Sequence, residues 1–170
     1  GIYQPENAAV AIETANAMKI RPEHILEGIK SATNPGRFEV IEKNPVVIYD
    51  GAHNKNGMIA LSRSLVRYFP EWQGATFIMS FMSDKDISGE LEILKGSGLL
   101  ENSEVFAVKV KNNPRTAESA EVCRIAKSLG ISAKPFEDIR DAYEKALSEK
   151  KPTIICGSLY LYRDLDEIRK

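Results

Sequence analysis

Apolar residues along this chain follow two spacings, which together predict an alternation of strands and helices. Short runs rich in Val, Ile and Phe are typical of buried strands, and apolar residues at i, i+3 and i+4 are typical of helices. Met58, Leu61 and Leu65 show the helical spacing most clearly. We predict strands at 38–41, 46–49, 76–81, 105–110, 131–133 and 153–156. We predict helices at about 5–18, from 22 onward, and at 56–68, 88–95, 117–129, 140–148 and 159–168.

The order of these elements predicts an α/β fold with a Rossmann-like, mostly parallel sheet and helices on both faces. Strands separated by helices of ten or more residues require crossover connections, which are right-handed. Only the first two strands, joined by a turn at 43–45, are close enough in sequence to form a hairpin. The breaker Asn34-Pro35-Gly36 separates two leading helices from this alternation. We therefore expect residues 1–33 to be the helical tail of a preceding domain and 34–170 to be the main domain.

Composition excludes several function classes. The chain has 170 residues, 43% of them hydrophobic and 28% charged, which is ordinary for a globular domain. A net charge of −1 argues against nucleic acid as a partner, and no apolar run is long enough for a membrane span. Cys123 and Cys156 lack metal-ligand spacing, so we expect buried thiols and no metal site of this chain's own. We expect a cytoplasmic monomer.

The stretch from 46 to 54 is the most informative of the chain, because an apolar strand delivers polar residues into a glycine-containing turn. Asp50, His53 and Asn54 follow the strand directly, and open α/β sheets bind ligands at the carboxyl ends of their strands. Arg37 lies upstream and provides a planar, permanently charged donor suited to phosphate oxygens. These residues favour phosphate chemistry at this edge of the sheet.

Each of these residues also has an ordinary structural interpretation. Asp50 is suited either to a ribose or cation contact or to a turn or helix cap. His53 is suited either to donating to a phosphoryl oxygen or to a structural turn. Asn54 is best explained as the cap of the next helix. The residues alone leave the first two alternatives open.

Three more loops at predicted strand ends carry candidate groups for an anionic substrate. Lys85 lies between Asp84 and Asp86, a pattern that is also typical of a solvated charge cluster. Arg115 follows the fourth predicted strand and is otherwise a charged loop residue. Ser158, after Gly157, offers a hydroxyl and a helix start to a carboxylate, or is a plain N-cap.

Five short motifs follow one another along the chain, namely Gln4-Pro5-Glu6-Asn7-Ala8, Pro35-Gly36-Arg37-Phe38-Glu39, the segment 50–57, Asp84-Lys85-Asp86 and Gly157-Ser158. Together they resemble the C-terminal domain of folylpolyglutamate synthase and its dihydrofolate synthase relatives, members of the Mur ligase superfamily. One departure is Lys55, where the family commonly has Pro, which puts the rigidity of that loop in doubt.

The resemblance implies an ATP-dependent ligase that adds L-glutamate to folate or dihydropteroate through an acyl-phosphate. It implies nucleotide contacts by Asn7, Arg37 and Asp50. It implies catalytic roles for His53 and Lys85. Arg115 and Ser158 would join Lys85 in binding the anionic substrate.

The chain has neither an initiator Met nor a phosphate-binding loop of the Gly-x-x-x-x-Gly-Lys type. The resemblance places that loop, and most ligands of Mg²⁺, in an upstream ATPase domain of the same polypeptide. We therefore expect a C-terminal fragment that is inactive alone. Two alternatives stay open, namely another Mur-type ligase that acts on a cell-wall nucleotide precursor, and a non-catalytic flavodoxin-like binding module.

Overall fold

A computed structural model describes residues 1–169, which divide into two compact units. The first unit, Gly1–Pro35, contains helices α1 (Gln4–Ala17) and α2 (Pro22–Ser31). Each helix has a proline in its first turn, where a missing N–H costs nothing. Neither helix has a buried residue, and Val10 and Met18 are 68% and 70% exposed. These apolar side chains are therefore left uncovered within the first unit.

The second unit begins at Gly36 and contains one six-stranded sheet in the order β1-β2-β6-β3-β4-β5. The strands β1 and β2 pair antiparallel, and every other neighbouring pair is parallel. The strands are β1 (Glu39–Lys43), β2 (Val46–Tyr49), β3 (Thr76–Met79), β4 (Glu104–Ala107), β5 (Ala133–Pro135) and β6 (Thr153–Cys156). The helices are α3 (Lys55–Tyr68), α4 (Ile87–Gly96), α5 (Ser119–Ser128), α6 (Ile139–Ser148) and α7 (Leu161–Arg169).

Helices cover both faces of the sheet, which confirms the predicted fold class. Successive strand residues point to opposite faces, so Phe77 joins one hydrophobic cluster and Ile78 the other. The first cluster includes buried residues of α3, α4 and α5, and the second includes buried residues of α6 and α7. Because both faces are buried, strands β3 and β6 have no exposed residue.

Four predicted strands have different bounds in the structure, and those of β1 and β3 differ by no more than two residues at either end. β4 ends at Ala107, although 108–110 had been included because Val108 and Val110 are apolar. Both are buried in the loop that follows, so their apolar character reflects packing outside the ladder. The predicted strand at 131–133 also begins too early. Gly130 has a φ of 73°, and the Ile131 N–H donates to the Ala126 carbonyl, so Ile131 closes helix α5.

The remaining sequence predictions about cysteines and membrane spans can be compared directly. Cys123 and Cys156 are free and buried, as expected. Within residues 1–169, no helix combines the length and the apolar character needed to cross a bilayer.

Candidate functional site

The loops after β2, β3, β4 and β6 meet at the carboxyl edge of the sheet and surround a cavity of about 340 Å³. Such an edge is where open α/β sheets bind ligands. Four candidate residues, one from each of these loops, line this cavity together. The lining residues are His53, Met82, Lys85, Arg115, Gly157, Ser158, Leu159 and Tyr160.

Asp50 is almost fully buried at 3% exposure and holds the backbone of two loops. Its Oδ2 accepts a hydrogen bond from the Phe38 N–H and its Oδ1 accepts one from the Ala52 N–H, each at 2.8 Å. A carboxylate oxygen can accept more than one hydrogen bond. The structure thus shows the turn role of Asp50, and the nucleotide contact stays a prediction.

The loop that carries Arg37 is fixed on both sides of that residue. Gly36 and Phe38 have φ values of 74° and 52°, in the left-handed region. The Gly36 N–H donates to Glu39 Oε2 at 2.7 Å, and the Gly36 carbonyl accepts from the Gly51 N–H at 2.8 Å. With Asp50 holding Phe38, the Arg37 backbone is held at three points.

The Arg37 side chain itself makes no hydrogen bond or ion pair with another of the described residues, and it is only partly buried. A rigid backbone with an uncommitted guanidinium suits the capture of an anion.

His53 reaches the cavity with one ring nitrogen already used. Its Nδ1 lies 2.7 Å from the Gly51 carbonyl oxygen, and since a carbonyl only accepts, Nδ1 carries the proton. Nε2 of a neutral ring is then an acceptor. The predicted donation from His53 to a phosphoryl oxygen therefore requires the doubly protonated imidazolium.

The charged cluster at 84–86 is arranged differently from a simple solvated patch. Asp84 accepts from Arg115 Nη2 at 3.1 and 3.2 Å, and Asp86 pairs with Lys55 Nζ at 2.7 Å. These cations lower the pKa of both carboxyl groups. Lys85, by contrast, has no hydrogen-bond or ion-pair partner for its side chain among residues 1–169. Both acids beside Lys85 in the sequence are occupied by other cations. The buried acid Glu90 is also near, because burial raises its pKa and the charge of Lys85 partly offsets that rise.

The same pairing changes the interpretation of Arg115 and Lys55. Arg115 lines the cavity but is partly neutralised by Asp84, so it is a weaker candidate for the substrate carboxylate than Lys85. Lys55 begins helix α3 and reaches across to Asp86, which caps helix α4 by accepting from the Gly89 N–H at 2.9 Å. A lysine at this position thus links two loops of the site.

Ser158 lies in a tightly held turn. Gly157 has a φ of 92°, and a Cβ there would lie 2.3 Å from the Ser80 carbonyl oxygen, so only glycine fits. The Ser158 Oγ accepts from the Tyr160 N–H at 3.2 Å, which leaves its own O–H to donate. Ser158 is therefore a turn residue that precedes α7, which begins at Leu161.

Asn7 is the one predicted site residue of the first unit. It lies exposed on α1, and its side-chain amide donates to Gln4 Oε1 at 3.2 Å. Asn54 behaves as expected, because its side chain accepts from the Gly57 N–H at 2.8 Å and caps α3.

Sequence reasoning missed Glu90, a buried acid close to the cluster. Glu90 is 2% exposed, and burial raises its pKa to about 7. Its Oε2 has no hydrogen-bond partner in the described part of the chain. The signal was present, because Glu90 lies three residues after Ile87 and four before Leu94 on the apolar face of α4.

Among residues 1–169, no three His, Cys, Asp or Glu side chains lie close enough to hold a metal ion together.

Comparison with known proteins identifies the family. The model of the Mur ligase family described as "Mur ligase, glutamate ligase domain" matches residues 36–158, so the chain belongs to the Mur ligase family. Folylpolyglutamate synthase of Lacticaseibacillus casei is 30% identical over 173 residues, which is 95% of this chain and 37% of that protein.

Solved structures agree with this assignment. Escherichia coli FolC in complex with ADP, without folate substrate, has a TM-score of 0.82 and 27% identity over 96% of this chain and 38% of that one. A bifunctional folylpolyglutamate synthase/dihydrofolate synthase with Mn, AMPPNP and L-glutamate bound has a TM-score of 0.72 at 27% identity. That similarity covers 88% of this chain and 35% of that chain. The chain thus spans less than two fifths of the length of these relatives.

Proposed function

We propose that this chain is the C-terminal part of an ATP-dependent ligase that adds L-glutamate to folate or dihydropteroate. The observation that carries the proposal is Lys85, whose ammonium group lies at the cavity while Arg115 and Lys55 occupy its acidic neighbours. An uncommitted cation that lines the same cavity as Ser158 is suited to a carboxylate.

In this proposal the chemistry is amide formation through an acyl-phosphate. The substrate carboxylate takes the γ-phosphoryl group of ATP, and ADP leaves. The glutamate amine then attacks the acyl carbon, loses a proton, and displaces inorganic phosphate. Such a reaction depends on positioning and on charge stabilisation, and no protein nucleophile is needed.

Each residue of the site has one proposed task. Lys85 binds a carboxylate of the incoming glutamate, and the Ser158 O–H donates to the same group. Arg37 binds phosphate oxygens of ATP from its rigid loop, and Asp50 positions that loop while it contacts the nucleotide. His53, when doubly protonated, donates to the phosphoryl oxygen. Arg115 supports Lys85 by holding Asp84.

The remaining parts of the proposed enzyme lie outside this chain. Relatives that extend well beyond the matched segment were solved with ADP, AMPPNP and Mn. We propose that an upstream ATPase domain of the same polypeptide supplies the phosphate-binding loop and most ligands of Mg²⁺. We propose that Asn7 contacts the nucleotide and that residues 1–33 belong structurally to that domain. A monomeric state and a cytoplasmic location stay predictions from the sequence.

The direct test is an ADP-release assay on the full-length polypeptide with Mg²⁺-ATP and L-glutamate. We expect ADP release that requires dihydropteroate or a reduced folate, with the glutamylated product identified by mass spectrometry. Cell-wall nucleotide precursors with their amino acids form the comparison arm. ADP release only in that arm would assign the chain to another Mur-type ligase, and none in either arm would favour a binding module.

A further inference from the structure

Tyr49, the last residue of β2, contacts two of the loops that carry proposed site residues. Its side chain is fully buried, and its hydroxyl lies 2.7 Å from the Ser158 carbonyl oxygen and 3.2 Å from that of Leu159. A hydroxyl has one hydrogen, so the shorter contact to Ser158 is the principal bond. Burial raises the pKa of Tyr49, so the hydroxyl keeps its proton at physiological pH.

The ring of Tyr49 has a separate set of neighbours. A Cβ built on Gly36 would lie 3.2 Å from Tyr49 Cε1, so the loop that carries Arg37 packs directly against this ring. The Tyr162 ring packs edge-on against it at a centroid distance of 5.0 Å. The ring thus supports the proposed nucleotide loop, and the hydroxyl supports the Ser158 segment, residues 157–160.

We infer that the Tyr49 hydroxyl positions the Ser158 segment and thereby sets the affinity of the site for the incoming amino acid. The inference rests on the proposed function, in which the Ser158 O–H donates to a glutamate carboxylate. Gly157 anchors one end of the segment through its N–H to the Ala52 carbonyl at 2.7 Å. Tyr49 is the side chain that holds the Ser158 carbonyl and so fixes the rotation of the Ser158 peptide.

Removing this bond would leave a buried carbonyl without its donor, which favours rotation of the peptide toward another partner. Since Ser158 Oγ is attached to the same residue, that rotation moves the O–H away from the bound carboxylate. A displacement of about 1 Å in a positioning group is enough to weaken its interaction with a ligand strongly. Arg37 lies on the other loop, which Tyr49 contacts through its ring and which Asp50 also holds, so we expect ATP binding to be unaffected.

Tyr49→Phe separates the two roles because it keeps the ring and removes only the hydroxyl. Tyr143→Phe is the matched control, since Tyr143 is a buried tyrosine of α6 outside the proposed site. In the full-length enzyme we expect Tyr49→Phe to raise the glutamate KM about three- to tenfold and to leave the ATP KM within about twofold. Tyr143→Phe should leave both constants at their wild-type values.

Hydrogen exchange provides a readout that does not depend on activity. We expect the amides of 157–162 to exchange faster in Tyr49→Phe than in wild type, and to be unchanged in Tyr143→Phe. If wild type ligates glutamate but Tyr49→Phe matches it in glutamate KM, or if both KM values rise equally, the inference is overturned. Unchanged exchange at 157–162 overturns it as well. Failure of wild type to ligate glutamate would instead reject the proposed function, while the exchange result still tests the contact.

Discussion

Arg37 and Asp50 were both predicted to contact the nucleotide, yet their surroundings in the folded protein differ. Arg37 has no hydrogen-bond or ion-pair partner among residues 1–169, whereas both Asp50 oxygens hold backbone amides. In the full-length enzyme, either change to Ala should lower kcat/KM for ATP about ten- to hundredfold, because each removes a charged hydrogen-bonding group.

Thermal unfolding separates these two residues. Asp50→Ala leaves the half-buried Phe38 amide and the buried Ala52 amide without an acceptor, so its melting temperature should fall by several degrees. Arg37→Ala should melt within about 1 °C of wild type, since surface substitutions rarely change stability much. Equal losses of stability in the two variants would contradict the assigned contacts, and unchanged ATP kinetics in both would remove them from the nucleotide site.

Glu90 provides a test through the pH dependence of stability. Its folded-state pKa of about 7 lies above the ordinary glutamate value of 4.5, because burial disfavours the charged form. The contribution of Glu90 to the free energy of unfolding is therefore fully present below pH 4.5 and is lost as the pH rises through 7. Glu90→Gln cannot ionise, so its melting temperature relative to wild type should rise by about 4 °C or more between pH 5 and pH 8.

The exposed Glu92 of the same helix is the matched control for Glu90. Glu92→Gln should follow wild type across this pH range. A Glu90→Gln variant that also keeps a constant offset from wild type between pH 5 and pH 8 would show that Glu90 is ionised and solvated in the native state.

At this scale the sequence predicted the chemical types of the site residues better than their partners. Lys85 between two acids is indistinguishable from a neutralised surface cluster until the fold brings Arg115 and Lys55 to those acids. The sequence predicted Tyr49 only as the last residue of a strand. Nothing in its local sequence shows that its hydroxyl donates to the carbonyl of Ser158, far along the chain. Such pairings depend on tertiary contacts, which spacing does not encode.

Among the elements, β2 and β6 were predicted with their observed ends, because short apolar runs bounded by turn residues define them. The ends of β3 and β4 were predicted too late. Phe81 and Val108 are as apolar as strand residues, but they are buried in loops at the carboxyl edge. Periodicity reports burial, and in this fold burial continues past the last ladder hydrogen bond.

Helices α1 and α2 form the element-scale prediction about dynamics. Neither contains a buried residue, so little packing opposes their local unfolding. We expect amides of 4–31 to exchange far faster than those of β2, whose last three residues are fully buried. Hydrogen exchange by mass spectrometry on this chain measures both segments in one experiment. Comparable protection of the two segments would show that α1 and α2 are covered in this chain.

For the whole molecule, the fold and the family can be predicted from two patterns in the sequence. These patterns are the alternation of strands and helices and the order of the five motifs. The division of labour with an upstream domain is a proposal. It predicts that this chain folds, because the sheet and both hydrophobic clusters lie within residues 36–169. It also predicts that the chain alone releases no ADP in the presence of folate and glutamate. Folate-dependent ADP release by this chain alone would contradict that division.

The proposed function depends most on Lys85, the cation that binds the carboxylate of the incoming glutamate. The measurement is a glutamate titration of the full-length enzyme and its Lys85→Ala variant at saturating ATP, followed by an ATP titration at saturating glutamate. Lys151→Ala, at an exposed lysine after α6, is the matched control and should behave as wild type. Lys85→Arg should restore little, since a planar fork does not replace a compact ammonium group.

We expect Lys85→Ala to raise the glutamate KM at least about tenfold, because it removes one charged hydrogen bond to the glutamate carboxylate. The ATP KM should stay within a few-fold of the wild-type value. A Lys85→Ala enzyme that titrates glutamate like wild type would contradict the account. The segment 84–86 would then be a solvated charge cluster, and the glutamate carboxylate would have to be bound elsewhere.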